Sequence, residues 1–212
     1  MSTTRTMLMT PSTSALSPAP IFVPARVGGA HLAETARAIH VSFSRAPNVQ
    51  YALCGSYALA LLGCPLPFNS NLDCIVTNGK FGIVRRILVG PQWWHPRVAA
   101  GAMTSFYTTA SGVTVEVRWA EAGIVGPRHI LAGPGGTVTQ ASVGVFSLNA
   151  TQLMRAAIKA YAANRNEVDA DAVRWIAGMK GLDVDARRAV IGLEVDVAAV
   201  ADQLPFLRWA LQ

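Results

Sequence analysis

A short apolar run ends in a glycine-serine pair and continues directly as a helix-like segment, over residues 51–63 (YALCGSYALALLG). The residues before the pair are typical of a buried strand, and the apolar residues after it suit a short helix over 57–63. Gly63 and the two prolines after it end that helix. Because the first N–H groups of a helix have no partner inside it, such a turn can bind phosphate. Gly55 and Ser56 are therefore candidate phosphate-binding residues.

Two predicted strands each carry one acidic residue at their centre. Asp73 lies in the strand 71–77, and its side chain shares a face with those of Asn71 and Ile75. Glu116 lies in the strand 113–119, on the face opposite to three valines. Only four acidic residues occur before residue 166, and two of them are these strand-central ones. A carboxylate buried in a strand needs a partner, a metal or an altered pKa, so both are candidate functional residues.

Oxygen ligands from neighbouring strands are the means by which a sheet holds Mg²⁺ against a triphosphate. Asn71, Asp73 and Glu116 are the candidate ligands here. We therefore expect a Mg²⁺ cofactor and a nucleoside triphosphate (NTP) partner, with Asp73 and Glu116 as the catalytic pair.

The run from the Gly55-Ser56 turn to Asp73 resembles the nucleotidyltransferase superfamily, the DNA polymerase β-like fold, in its small bacterial and fungal members. That pattern is a strand, Gly-Gly or Gly-Ser, a short helix, a loop, Asp-x-Asp on the next strand and a carboxylate on a later strand. Asp73 matches the second carboxylate and Glu116 the third. The resemblance implies an α+β fold, a mixed β-sheet flanked by helices, with a helical C-terminal segment. It also implies transfer of a nucleoside monophosphate from an NTP to an acceptor that the sequence does not identify.

The first position of Asp-x-Asp is Asn71, which offers a carbonyl oxygen but no charge. Loss of that carboxylate weakens metal binding and calls the transfer step into question. Two hypotheses therefore stand together, an active nucleotidyltransferase and a degenerate protein of the same fold that acts as a binding or partner module. A protein partner would bind through the C-terminal helices.

Members of the superfamily commonly carry a helical segment with a Lys and an Arg, followed by an Asp pair. Lys159 and Arg165, followed by Asp169 and Asp171, fall in that order, and the resemblance assigns Lys159 to nucleotide binding. A structural interpretation is preferred for the Asp pair, as partners of Arg174.

The charge is unevenly distributed along the chain. Residues 1–165 hold 13 Lys/Arg and 4 Asp/Glu, whereas residues 166–212 hold 5 and 8. A basic main body suits an anionic ligand such as an NTP, and less strongly a nucleic acid. No apolar run approaches the roughly 18 residues of a membrane span, so no membrane partner is expected.

The chain divides into three expected parts. Residues 1–28 are rich in Ser, Thr and Pro without any acid, which favours a disordered arm over a targeting segment. Residues 29–148 form the α/β core, and residues 149–212 form the helical segment. The three cysteines, Cys54, Cys64 and Cys74, suit buried positions in a reducing compartment, so a cytoplasmic location is expected, with organellar targeting left open.

The remaining elements follow from periodicity and turn residues. Trp93-Trp94 could stack a base, but with His95-Pro96 it is better interpreted as a packed connector. The other predicted elements are helices over 30–45, 79–89, 151–164, 166–179, 183–191 and 196–211, and strands over 49–54, 103–109 and 144–147.

Overall fold

The computed structural model describes residues 28–67, 69–77, 81–99, 101–108, 112–119, 138–140, 144–178 and 185–210. The predicted arm over 1–28 lies outside the described residues, apart from Gly28. Residues 120–137 also lie outside them. The division into arm, core and helical segment stays a prediction.

In the described part, helices and strands alternate up to residue 87, strands follow one another from residue 93 to residue 148, and the rest is helical. Its strands are β1 (Tyr51–Cys54), β2 (Asn71–Val76), β3 (Trp93–Ala99), β4 (Ala102–Tyr107), β5 (Val113–Trp119), β6 (Val138–Gln140) and β7 (Phe146–Leu148). Its helices are α1 (Gly29–Ser44), α2 (Gly55–Leu61), α3 (Phe81–Ile87), α4 (Ala150–Asn164), α5 (Glu167–Gly178), α6 (Ala186–Val190), α7 (Glu194–Val200) and α8 (Leu207–Ala210).

The strands form one mixed sheet in the order β3-β4-β5-β2-β1-β7-β6. β2 runs parallel to β5 and antiparallel to β1, so β2 lies at the centre of the sheet. β4 and β5, which correspond to the predicted strands over 103–109 and 113–119, pair antiparallel along their whole length. The α+β class and the mixed sheet with flanking helices are thus confirmed.

One face of the sheet is buried by the helices. The apolar residues of α1 at helical spacing, Leu32, Ala36, Ile39 and Phe43, are at most 2% exposed, and α1 packs against β2 and β5. β2 and β5 contribute Leu72, Cys74, Val76 and three valines to this core. The alternate residues of the same strands point to the other face, as their predicted period of two requires. All three cysteines are buried and free, as expected.

The interpretation of Trp93 to Pro96 as a connector is wrong, because these residues belong to β3. β3 is the edge strand, where a proline without an N–H does not interrupt the sheet. The register with β4 shifts between Trp94 and Arg97, and this irregularity accommodates Pro96. The shift also breaks the alternation that would have identified the strand.

A buried arginine joins the helices of the C-terminal segment. Arg155 of α4 is 5% exposed and donates to the carbonyl oxygens of Ala189, at 3.3 Å, and Ile191. Because a charged donor strengthens a hydrogen bond, these contacts fix α6 against α4. The predicted helices over 183–191 and 196–211 are present as three shorter ones, α6, α7 and α8.

The start of α4 is fixed by a side-chain cap. Asn149 Oδ1 accepts the backbone N–H of Gln152 at 3.0 Å. We expect Asn149→Ala to lower the free energy of unfolding by about 1 kcal/mol, measured by urea denaturation. Asn149→Asp, which keeps the acceptor, should retain most of that stability, and an equal loss in both variants would contradict the capping role.

Candidate active site

The two predicted carboxylates lie side by side on the face of the sheet opposite to α1. Asp73 and Glu116 are register partners across the parallel pair β2 and β5. Asn71 is two residues before Asp73 and is the register partner of Thr114, so it shares that face. The structure therefore brings together Asn71, Asp73 and Glu116, which the sequence placed on two separate strands.

The glycine turn contacts this carboxylate row. Cys54, the last residue of β1, is the register partner of Asp73, so the chain turns into α2 directly beside the Asp73 side chain. Gly55 has φ +70°, which favours glycine, and a Cβ built on it would lie 3.2 Å from Cγ and 3.3 Å from Cβ of Asp73. A side chain at position 55 would thus collide with Asp73. The glycine is required both by the backbone conformation and by the close approach of the carboxylate.

The environment of Asp73 disfavours its charged form. Burial raises the pKa of Asp73 from 3.8 to about 6, the Glu116 carboxylate also raises it, and the Arg118 guanidinium lowers it. A carboxylate whose pKa is shifted by burial and by specific neighbouring charges is a candidate functional residue.

The second carboxylate forms an ion pair that the sequence did not lead us to expect. Arg118 Nε donates to Glu116 Oε1 at 2.7 Å, and the hydrogen bond to Glu116 raises the pKa of Arg118. The Glu116 side chain is 30% exposed and that of Arg118 is 55% exposed. The expectation that Glu116 is buried is therefore wrong. The sequence alone could have predicted this ion pair, because Glu116 and Arg118 are two residues apart in one strand and so share a face.

The loop before β2 is tied to the glycine turn. Ser56 Oγ accepts the backbone N–H of Asn69 at 3.1 Å. Ser70 Oγ donates to Asn71 Oδ1 at 3.4 Å. The Ser56 hydroxyl therefore already has one partner, while its hydrogen remains able to donate to a phosphate oxygen.

Lys159 and Arg165 take different places at the C-terminal helices. Lys159 is half-buried on α4, which packs against α2, and its assignment to nucleotide binding stays a prediction. Arg165 ends α4 in the left-handed conformation, with φ 54°, and its guanidinium donates to Ala199 O at 2.7 Å. Arg174 pairs with Asp171 at 2.7 Å, which confirms the structural interpretation for that residue.

The oxygen ligands available for a metal are two carboxylates and one amide. No cluster of three or more His, Cys, Asp or Glu side chains suited to a metal ion occurs within the described ranges. Mg²⁺ is commonly held by one or two carboxylates together with the phosphates of its substrate. Asp73 and Glu116 therefore fit one Mg²⁺ that arrives with a triphosphate.

No helix of the described part is long and apolar enough to cross a membrane.

Comparison with known proteins identifies the fold. No protein-family model matches the sequence, and no curated protein sequence does. Among solved structures, an antigenic nucleotidyltransferase-like protein from Paracoccidioides brasiliensis superimposes with a TM-score of 0.59 at 15% identity, covering 88% of this chain and 94% of that one. The antibiotic-resistance factor ANT(2'')-Ia superimposes with a TM-score of 0.50 at 12% identity, covering 86% and 91%. The chain therefore has the fold of the nucleotidyltransferase superfamily.

Proposed function

We propose that this protein binds a Mg²⁺–NTP complex on the Asp73–Glu116 face and transfers the nucleoside monophosphate to a hydroxyl acceptor. The observation that carries the proposal is the pairing of Asp73 with Glu116 in register, directly beside the Gly55 turn. The fold supports it, because the protein from Paracoccidioides brasiliensis that shares this fold is nucleotidyltransferase-like.

Each residue has a distinct part in this proposal. The free backbone N–H groups of Gly55 and Ser56 bind phosphate oxygens, and Lys159 neutralises triphosphate charge. Asp73 and Glu116 hold Mg²⁺, which supplies charge stabilisation to the reacting phosphate when it is bound. The acceptor oxygen forms a bond to the α-phosphorus, the bond from that phosphorus to the bridging oxygen breaks, and pyrophosphate leaves. The second carboxylate oxygen of Glu116, which Arg118 does not engage, accepts the proton of the hydroxyl.

Calorimetry with ATP and with GTP, each with and without Mg²⁺, tests the binding step. Binding that requires both the triphosphate and Mg²⁺ is the expected result, because two neighbouring carboxylates repel a triphosphate without a cation between them. The absence of binding under all four conditions would overturn the proposal. Incorporation of an α-labelled nucleotide into an added hydroxyl compound then tests transfer.

A second candidate function is a degenerate module that binds nucleotide or a protein partner without transfer. Two observations favour it. Asn71 removes one charge from the site, and Arg118 already pairs with one oxygen of Glu116. The C-terminal helices also expose large apolar side chains that a protein partner could cover, namely Ile191, Val195 and Trp209.

The substitution Asn71→Asp separates the two candidate functions. A third carboxylate on the same face should tighten Mg²⁺-dependent ATP binding by about tenfold, measured by calorimetry. A degenerate module should gain transfer activity that the unaltered chain lacks. If the unaltered chain already transfers labelled nucleotide, and Asp73→Ala abolishes that transfer, the second function is excluded.

A further inference from the structure

A pair of stacked aromatic rings, one exposed and one half-buried, lies on the same face of the sheet as the carboxylates. Trp94 of β3 stacks on Phe106 of β4, with ring centroids 5.5 Å apart and an interplanar angle of 28°. Trp94 remains 40% exposed, unlike its neighbour Trp93, which is 7% exposed and belongs to the core. An indole this open, held by a second ring, is a flat surface on which another ring can stack.

Strand register connects this pair to the candidate active site. Trp94 is the partner of Phe106, and Phe106 is the partner of Thr114, which is itself the partner of Asn71. Partners across neighbouring strands point to the same face, so these four side chains form one row across four strands.

A second row runs from the carboxylates towards the edge of the sheet. Glu116 is the partner of Thr104, and Thr104 is the partner of Arg97. The two rows are two residues apart along the strands. With strands about 4.8 Å apart and a rise of about 3.4 Å per residue, Trp94 lies roughly 12 Å from Glu116. A dinucleotide can bridge such a span.

The charge of this region selects among possible acceptors. Arg97 is exposed, and within the described ranges no acidic side chain lies at ion-pair distance from it. Beyond Glu116 the second row holds a hydroxyl and a guanidinium and no carboxylate. A polycationic acceptor finds no counter-charge there, whereas an anionic acceptor does. Together, a stacking surface and a guanidinium are the recognition chemistry of a base and its phosphate.

We propose that Trp94, Phe106 and Arg97, here called the acceptor shelf, bind the nucleotides upstream of the acceptor hydroxyl at the end of a single-stranded nucleic acid. The terminal 3′ hydroxyl of a single-stranded nucleic acid lies at Glu116, an upstream base stacks on Trp94, and a phosphate contacts Arg97. This inference rests on the proposed transfer reaction and names the class of its acceptor.

Fluorescence anisotropy with 5′-labelled octauridylate, in the absence of NTP, measures binding to the shelf. We expect Trp94→Ala to weaken the affinity by about tenfold and Trp94→Phe, which keeps a ring, to restore most of it. Arg97→Gln should reduce the slope of log affinity against log salt by about 0.7, the contribution of one phosphate contact on a single strand.

Two matched controls lie in the C-terminal helices. Trp209 is 51% exposed on α8, and Arg187 is exposed on α6. Trp209→Ala and Arg187→Gln should leave octauridylate binding unchanged. Equal weakening in the Trp94 and Trp209 variants would overturn the proposal, as would the absence of octauridylate binding.

Competition experiments test whether the shelf binds the end of a strand or a single nucleotide. Displacement of the octamer only by oligonucleotides supports binding of a strand end, whereas displacement by uridine monophosphate at an equal concentration of nucleotide overturns it. Failure here is distinguishable from failure of the proposed reaction. ATP binding with Mg²⁺ but no shelf binding overturns only the acceptor inference. Shelf binding that depends on Trp94, without any ATP binding, overturns the transfer reaction and its acceptor, and leaves a nucleic-acid-binding face.

Discussion

Asp73→Asn is expected to raise the free energy of unfolding at pH 7 while removing Mg²⁺-dependent NTP binding. Burial raises the pKa of Asp73 to about 6 from 3.8, so folding disfavours the ionised side chain. At 1.36 kcal/mol per pKa unit, that shift corresponds to at most about 3 kcal/mol at neutral pH. The neutral, similarly shaped asparagine avoids the cost. We expect a gain of about 1–3 kcal/mol in urea denaturation of the metal-free protein.

The sign of the effect depends on pH in a defined way. A carboxyl whose pKa is raised by folding contributes fully to stability below its unfolded pKa of 3.8, and that contribution is lost as the pH rises through about 6. The difference between Asp73→Asn and the unaltered protein should therefore vanish below about pH 3 and be largest above about pH 7. Affinity for Mg²⁺–ATP should fall in the unaltered protein as the pH drops below about 6, because the ligand must be ionised.

The loss of binding in Asp73→Asn should be about 100-fold, because a buried carboxylate ligand is removed from a site with only two. Asp202→Asn is the matched control, since the Asp202 side chain is 86% exposed and pairs with Arg208 on the surface. That exposed pair contributes at most about 1 kcal/mol, and its loss should leave ATP affinity unchanged. A destabilised Asp73→Asn protein at pH 7 would show that the Asp73 carboxylate is satisfied within the fold, rather than held available for a cation.

Alternation along the strands made the face with the two carboxylates predictable. The two strands with Asp73 and Glu116 follow a period of two, and that period fixes which side chains share a face before any pairing is known. The glycine-serine turn was also evident, because glycine and proline mark the ends of α2. These signals are local, and the structure confirms the sheet and helices that they indicated.

Features that depend on pairing between distant strands could not be predicted. The contact of Gly55 with Asp73 requires the antiparallel register of Cys54 with Asp73, which no local pattern encodes. The edge strand β3 was missed because Pro96 and the register shift disrupt its alternation. Trp94 was therefore assigned to a connector, and only its pairing with Phe106 shows that it lies on the same face as the carboxylates.

Gly55→Ala tests the close contact of the turn with the carboxylate, and we expect the largest combined loss of stability and binding from it. Alanine at φ +70° is strained, and its Cβ would collide with the Asp73 carboxylate. The strain alone costs about 1 kcal/mol, and displacement of packed atoms about 1–3 kcal/mol more. Because Asp73 must move to relieve the collision, Mg²⁺-dependent ATP affinity should fall by at least about tenfold.

Gly101→Ala separates the two causes. Gly101 has a similar φ of +76°, and a Cβ built on it has no atom within 4 Å, so this variant carries the backbone strain without the collision. Urea denaturation should show a loss of about 1 kcal/mol for Gly101→Ala and a clearly larger one for Gly55→Ala, and only the second should lose ATP affinity. Equal losses of stability with intact ATP binding would mean that only the backbone conformation of the turn requires Gly55, and not its contact with Asp73. A carboxylate that moves away without any effect on binding would not be the ligand of the metal, so this pair of variants tests both the geometry and the role of Asp73.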